Sequence, residues 1–301
     1  MAGVIAKQCG CTGHAEAMNW IRRVPGWEGT DDVALQRLTA GLTNQSFYFE
    51  RLGEPYVLRI CGVNSAALGI NRRAEYAAYQ AAAAVHGAPE VRHAFWPEGH
   101  MVRQFVPGNE WTWDRAADPD LLLRGVDTLK RVHGAGPIPF VFSPVQDVIS
   151  RLDAARRLGL SIPAEAPSFL GRAADIEARF WCRDHRDVGL CHNDAFVNNY
   201  LETDSGVMLM DWEFGGMGDV FYDLASLGAQ AGPEIQEAML TRYFGSTTPV
   251  MLEKFDAVRW LTRLWNWTWA FIQTGTGAGG QQHADYEVSL FARVRDHQWR
   301  W

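Results

Sequence analysis

The chain has 301 residues, 47% of them hydrophobic and 21% charged, with a formal net charge of -7 and a pI near 5.7. Apolar residues are too plentiful for a disordered chain and show no short repeat, and the length suits one large domain or two lobes with separate cores. The excess of acid gives no electrostatic grip on a phosphate backbone, so nucleic acid is not expected as a partner.

Residues 1–13 lack the charged and apolar regions of a signal peptide. Cys9 and Cys11, with His14, match no common zinc-knuckle spacing and have no fourth ligand. Residues 14–24 read as a short helix stopped by Pro25 and Gly26. From 33 to 62 the texture is that of strands, with Phe47, Phe49 and Tyr56-Val57-Leu58-Arg59-Ile60 as β-formers around a turn at Leu52-Gly53-Glu54-Pro55. An alanine-rich helix is predicted over 71–85, and a strand over 101–106 closed by Pro107-Gly108. Beyond that point the pattern turns helical, with candidates at 120–133, 145–158, 173–184, 234–244 and 252–272. One segment, 188–218, interrupts the helices: the apolar runs Val188–Cys191 and 207–210 read as buried strands beside polar loops.

The composition of the whole chain adds two constraints. Cys9, Cys11, Cys61, Cys182 and Cys191 are odd in number and have no framework spacing, the pattern of reduced thiols in a cytoplasmic protein. The most apolar late stretch, 258–272, carries Arg259 and Arg263 and is too short to span a bilayer, so no membrane partner is expected. Lys7, Lys130 and Lys254 are the only lysines, so chemistry that needs a cation must mostly use arginine.

The polar loops of 188–218 hold the chemistry. His192-Asn193-Asp194 is followed by Asn199, five residues after the Asp, and later by Asp211-Trp212-Glu213. Phosphoryl transfer needs this set: one carboxylate to orient or deprotonate a hydroxyl, and an Asn with a second carboxylate to hold Mg²⁺ on nucleotide phosphates. The order and spacing are those of a protein-kinase catalytic loop and metal-binding Asp. No Ser, Cys or His pair is set up as a covalent nucleophile, so direct transfer is expected.

Together with Gly41-Leu42-Thr43-Asn44, Val57-Leu58-Arg59-Ile60-Cys61-Gly62, Asn71-Arg72-Arg73-Ala74-Glu75 and Phe221-Tyr222-Asp223-Leu224-Ala225, these blocks run in the order of the choline/ethanolamine kinase family, which the chain resembles. That family lies within the wider aminoglycoside-phosphotransferase and kinase-like group. The resemblance implies an α+β, two-lobed protein-kinase-like fold. Residues 1–106 would form a small antiparallel-sheet nucleotide lobe with one helix, and 107–301 a larger, mainly helical lobe for catalysis and substrate. It implies Asp194 as catalytic base, Asn199 and Asp211 as Mg²⁺ ligands, and Glu213 as a second acid near the metal. His192 would brace the loop, and Asp223 would be the buried carboxylate tying the loops together.

At the nucleotide end the resemblance implies that Thr43 and Asn44 lie in the phosphate-covering turn. Arg59 would be the cation for the ATP phosphates, with Glu75 as its ion-pair partner, and Arg103-Gln104-Phe105-Val106 the hinge whose Gln104 and Val106 read adenine. At the substrate end, Trp265 and Trp269 fall four apart on one helical face, where cation-π contact with a quaternary ammonium is worth roughly 0.5 to 2 kcal/mol per ring. Tyr286, in Asp285-Tyr286-Glu287, resembles the family's pocket tyrosine, with Glu213 or Glu287 as charge partner. The expected activity is ATP- and Mg²⁺-dependent phosphorylation of a small amino alcohol, choline ahead of ethanolamine. The alternatives are a kinase for thiamine, an aminoglycoside or another small alcohol, and a catalytically silent nucleotide-binding module. The association state is left open, with a homodimer compatible.

Overall fold

Two strands rich in β-formers, β2 (Gln45–Arg51) and β3 (Glu54–Ile60), pair in register from Gln45↔Ile60 to Arg51↔Glu54. Their two-residue turn places Leu52 and Gly53 at φ 54° and 80°, the left-handed geometry that matches strand twist in a tight hairpin. Pro55 therefore belongs to the strand and not to the turn. The computed structural model describes residues 12–29, 33–38, 44–62, 65–182, 184–277 and 280–299. The turn residues Gly41, Leu42 and Thr43, with Cys9 and Cys11, lie outside them.

The hairpin grows into a five-stranded antiparallel sheet, with β1 (Gln36–Leu38), β4 (Val91–Ala94) and β5 (Met101–Gln104), in the order β1-β2-β3-β5-β4. Period-2 alternation sorts its faces. Phe47, Phe49, Leu58 and Ile60 pack with Ala17, Met18 and Ile21 of α1 (Thr12–Arg22). The intervening Arg59 points to the other face, where α2 (Arg72–Ala83) lies. That helix starts where the Asn71 side chain accepts the backbone N–H groups of Arg73 and Ala74. The sheet lobe thus carries a helix on each face.

The rest of the chain is mainly helical: α3 (Pro119–His133), α4 (Pro144–Arg157), α5 (Ala166–Phe180), α6 (Val220–Leu227), α7 (Pro233–Phe244), α8 (Pro249–Gly275) and α9 (Gly280–Arg295). α5 begins earlier than the pattern suggested because Pro167 suits a helix's first turn, and it stops before Cys182, which sits at φ 49°. α8, 27 residues and about 40 Å long, crosses the lobe. All eight residues of α6 are buried beneath it.

The two apolar runs flanking the polar loops do not pair with each other. β7 (Val188–Cys191) pairs with β10 (Gly216–Asp219), whereas β8 (Tyr200–Thr203) joins β9 (Gly206–Leu209) to β6 (Asn109–Glu110). Cys61, Cys182 and Cys191 are free thiols. Among the described residues no helix is long and apolar enough to cross a membrane.

Candidate active site

Two loops leave these small sheets side by side, residues 192–199 after β7 and 210–215 after β9. Each turns on a residue in the left-handed region, Asn193 at φ 64° and Asp211 at φ 61°, a conformation Asn and Asp tolerate better than other residues with side chains. Asp223, fully buried on α6, holds the first turn: its two oxygens accept the backbone N–H groups of His192 and Asn193, each at 2.7 Å. Its Oδ2 also meets His133 Nε2 at 3.0 Å, and His133 Nδ1 meets the Tyr243 hydroxyl at 2.7 Å.

The loops are stitched to each other. His192 donates from Nε2 to the Met210 carbonyl at 2.7 Å and lays its ring against Trp212, while Asn193 Nδ2 donates to Phe214 O at 2.8 Å. Burial pushes the His192 pKa down, which keeps the ring a neutral bracket. Gly215 is required where this loop meets the sheet lobe, because a Cβ there would lie 2.4 Å from that of Ala78 on α2.

Asp194, Asn199 and Asp211 come together at the loop tips. Asn199 Nδ2 donates to Asp194 at both its carbonyl (2.7 Å) and Oδ2 (3.0 Å). Burial first, and then the Asp211 charge, raise the Asp194 carboxyl well above its ordinary range. Burial and the neighbouring Glu213 push Asp211 up to about 7. Asp211 Oδ1 is buried without a hydrogen-bond partner. A clustered pair of carboxylates, a carboxamide oxygen and an unsatisfied buried oxygen form a donor set suited to a hard divalent cation.

Facing these acids is an arginine-carboxylate cluster from the sheet lobe. Arg59 is ion-paired with the buried Glu75, and Arg72 Nη1 bridges Glu75 Oε2 at 2.9 Å and Glu213 Oε1 at 2.8 Å. Asn44 Nδ2 donates to the same Glu213 oxygen at 2.8 Å, and its Oδ1 accepts from Gly62 N. Glu213, the expected second acid near the metal, lies close enough to Asp211 to raise its carboxyl, and its Oε1 is also held by Asn44 and Arg72, so this side chain joins the Asp211 loop to the sheet lobe. Thr43 lies outside the described residues. Where β5 ends, the Gln104 N–H goes to Glu90 O and the Phe105 N–H to Pro55 O, immediately before Val106.

The aromatic wall divides. Trp265 is 1% exposed, donates from Nε1 to Asp147 at 3.1 Å, and has the Arg151 guanidinium 3.9 Å over its ring. The expectation that Trp265 offers a face to a ligand cation is therefore corrected: the chain's own arginine covers that ring. Trp269 is half-buried, with its ring 5.5 Å from that of His283. Tyr286 is 38% exposed, and its hydroxyl is raised to about 12 by burial and by the charge on Asp194. Glu287, considered as a charge partner, accepts from Trp267 Nε1 at 2.8 Å and belongs to the α8–α9 packing.

Sequence reasoning missed three residues. Arg72 has no role assigned from the sequence, although its place three residues before Glu75 is a signal. His133 reads in the sequence only as a helix end. Arg151 had no local signal: it is buried in α4 and donates to the carbonyls of Leu68 and Trp265, which are remote in sequence.

The chain is 27% identical over 228 residues to Protein LicA of Haemophilus influenzae, a match covering 72% of this chain and 64%, less than two thirds, of that relative. Among solved structures it is similar to a choline/ethanolamine kinase family protein from Mesorhizobium loti, with a TM-score of 0.73, 24% identity, and coverage of 94% of this chain and 93% of that one. It is also similar to choline kinase LicA from Streptococcus pneumoniae, with a TM-score of 0.68, 19% identity, and coverage of 85% and 90%. At such identities the solved structures speak for the two-lobed fold. A model of the phosphotransferase enzyme family (APH) matches residues 34–261, more than half of the chain, and the chain belongs to that family.

Proposed function

We propose that this protein transfers the terminal phosphoryl group of ATP to the hydroxyl of a small amino alcohol, choline or a close relative. The observation that carries the reading is the meeting of Asp194, Asn199 and Asp211, with the buried Asp211 Oδ1 unsatisfied by protein. Asp194 would accept the proton of the attacking hydroxyl. Asn199 and Asp211 would hold Mg²⁺, which when bound offsets charge on the nucleotide phosphates. Arg59, aligned by Glu75, and Arg72 supply the positive charge facing them, and the Gln104–Val106 segment would border adenine. On this reading residues 1–106 serve the nucleotide and 107–301 the acceptor.

For the acceptor, Tyr286 carries most weight, because it is partly exposed while its hydroxyl feels the Asp194 charge. Of Trp265 and Trp269, only Trp269 is more than marginally exposed. The names of the similar proteins support choline or ethanolamine as the acceptor class. A coupled ADP-release assay over choline, ethanolamine, thiamine and an aminoglycoside tests the reading. We expect Mg²⁺-dependent turnover with the highest kcat/KM for choline. Preference for the aminoglycoside, or turnover retained in Asp194→Ala, would overturn it.

A further inference from the structure

A cavity of about 580 Å³ opens between the first half of α8 and the end of α9, lined by Arg259, Arg263, Arg293, His297 and Trp299 among others. Arg293 stands about two helical turns beyond Tyr286 along α9, a rise of about 10 Å. The proposed phosphoryl transfer uses none of these side chains.

Among the described residues its guanidiniums outnumber its carboxylates. Asp256 is ion-paired with Arg259, and its Oδ2 is 3.4 Å from His297 Nε2. Asp296, which also lines the cavity, is held by both the Nε and the Nη2 of Arg295. Among the described residues neither Arg263 nor Arg293 has a carboxylate partner. Arg263 Nη1 instead donates to the ring nitrogen His297 Nδ1 at 3.0 Å. Arg259, 8% exposed, has its Nε buried without a hydrogen-bond partner. Burial, Arg259 and Arg293 together depress the Arg263 guanidinium to about 10, against the opposing charge of Asp256.

We propose that this cavity is an anion site for a phosphate dianion, either free or as the monoester of a small alcohol. A guanidinium presents paired N–H donors that match phosphate oxygens, and two guanidiniums without a carboxylate partner suit a doubly charged ligand better than a single carboxylate. The volume has room for a small ester. The net charge of -7 disfavours a long polyanion such as nucleic acid. This inference does not depend on the substrate proposed for the kinase reaction.

Isothermal titration of the full chain with inorganic phosphate and with phosphocholine, at matched ionic strength in chloride, tests it. The wild type should bind at least one probe saturably, and Arg263→Gln/Arg293→Gln should bind about tenfold more weakly, while ATP turnover stays within about twofold. Equal binding of the two probes points to free phosphate as the ligand, and preference for phosphocholine to the ester. Unchanged affinity in the double variant, or no saturable binding of either probe, overturns the proposal. Should the double variant fail to fold, Arg293→Gln, at an exposed position, must still weaken binding; unchanged affinity there overturns it equally.

Discussion

Loops 192–215 and helix α8 are both rich in the residue types that drew attention in the sequence, yet they use them in opposite ways. In the loops, polar side chains are gathered beyond what stability requires: Asp194 feels the Asp211 charge although burial disfavours both, and Asp211 keeps an unsatisfied oxygen. On α8 the conspicuous side chains are almost wholly consumed by packing. Trp260, Trp265 and Trp267 are each at most 1% exposed, and their indole N–H groups go to Val294 O, Asp147 and Glu287. Unrelieved polar crowding marks a site, whereas satisfied aromatic crowding marks a core.

The comparison breaks most visibly if loop substitutions fail to separate activity from stability. Asp194→Ala and Asp211→Ala should each lower kcat by about 10² to 10⁴ in the ADP-release assay, with a Tm equal to or above that of the wild type, because a costly buried carboxylate is removed. A large fall in Tm with kcat preserved would place these residues with the core. Trp265→Ala should do the reverse, losing about 3 to 5 kcal/mol of stability in urea unfolding while the KM for ATP holds.

A smaller effect follows from Asp211 titration. The folded state retains a proton up to about 7, whereas an unfolded aspartate releases it near about 4. The native state therefore binds more protons across that interval, and metal-free stability should decline as pH rises through it. Asp211→Asn should flatten the decline, and added Mg²⁺ should reduce it by giving the carboxylate a counter-charge. A stability that climbs over the same range would contradict the raised carboxyl.

The smallest effect sharpens the division within the aromatic wall. Trp269→Ala should raise the KM for choline by about 2- to 30-fold, the span of one cation-π contact, without altering that for ATP. Tyr286→Ala belongs in the same experiment, because its exposure and electrostatic reach to Asp194 make it the better placed ring. If Trp265→Phe, which keeps most of the packing, shifts the choline KM more than either, then the Arg151-covered ring acts on substrate after all.

The sequence by itself determined the order of the chemistry-bearing blocks, the hairpin around Leu52-Gly53 and the change from strand to helix beyond Gly108. Each is written in short-range spacing: His192-x-Asp194 with Asn199, alternation in β2, and turn residues. Tertiary structure alone decided which face of each element meets which neighbour. Trp265 and Trp269 share a helical stripe, but only the fold brings Arg151 from α4 over one ring and leaves the other half-open. Arg72 and Glu213 are far apart along the chain, so their 2.8 Å contact has no local signature. Likewise Arg259, Arg263 and Arg293 read as scattered helix charges until α9 folds back along α8 and turns them toward one cavity, because charge imbalance is a property of a volume and not of a sequence window.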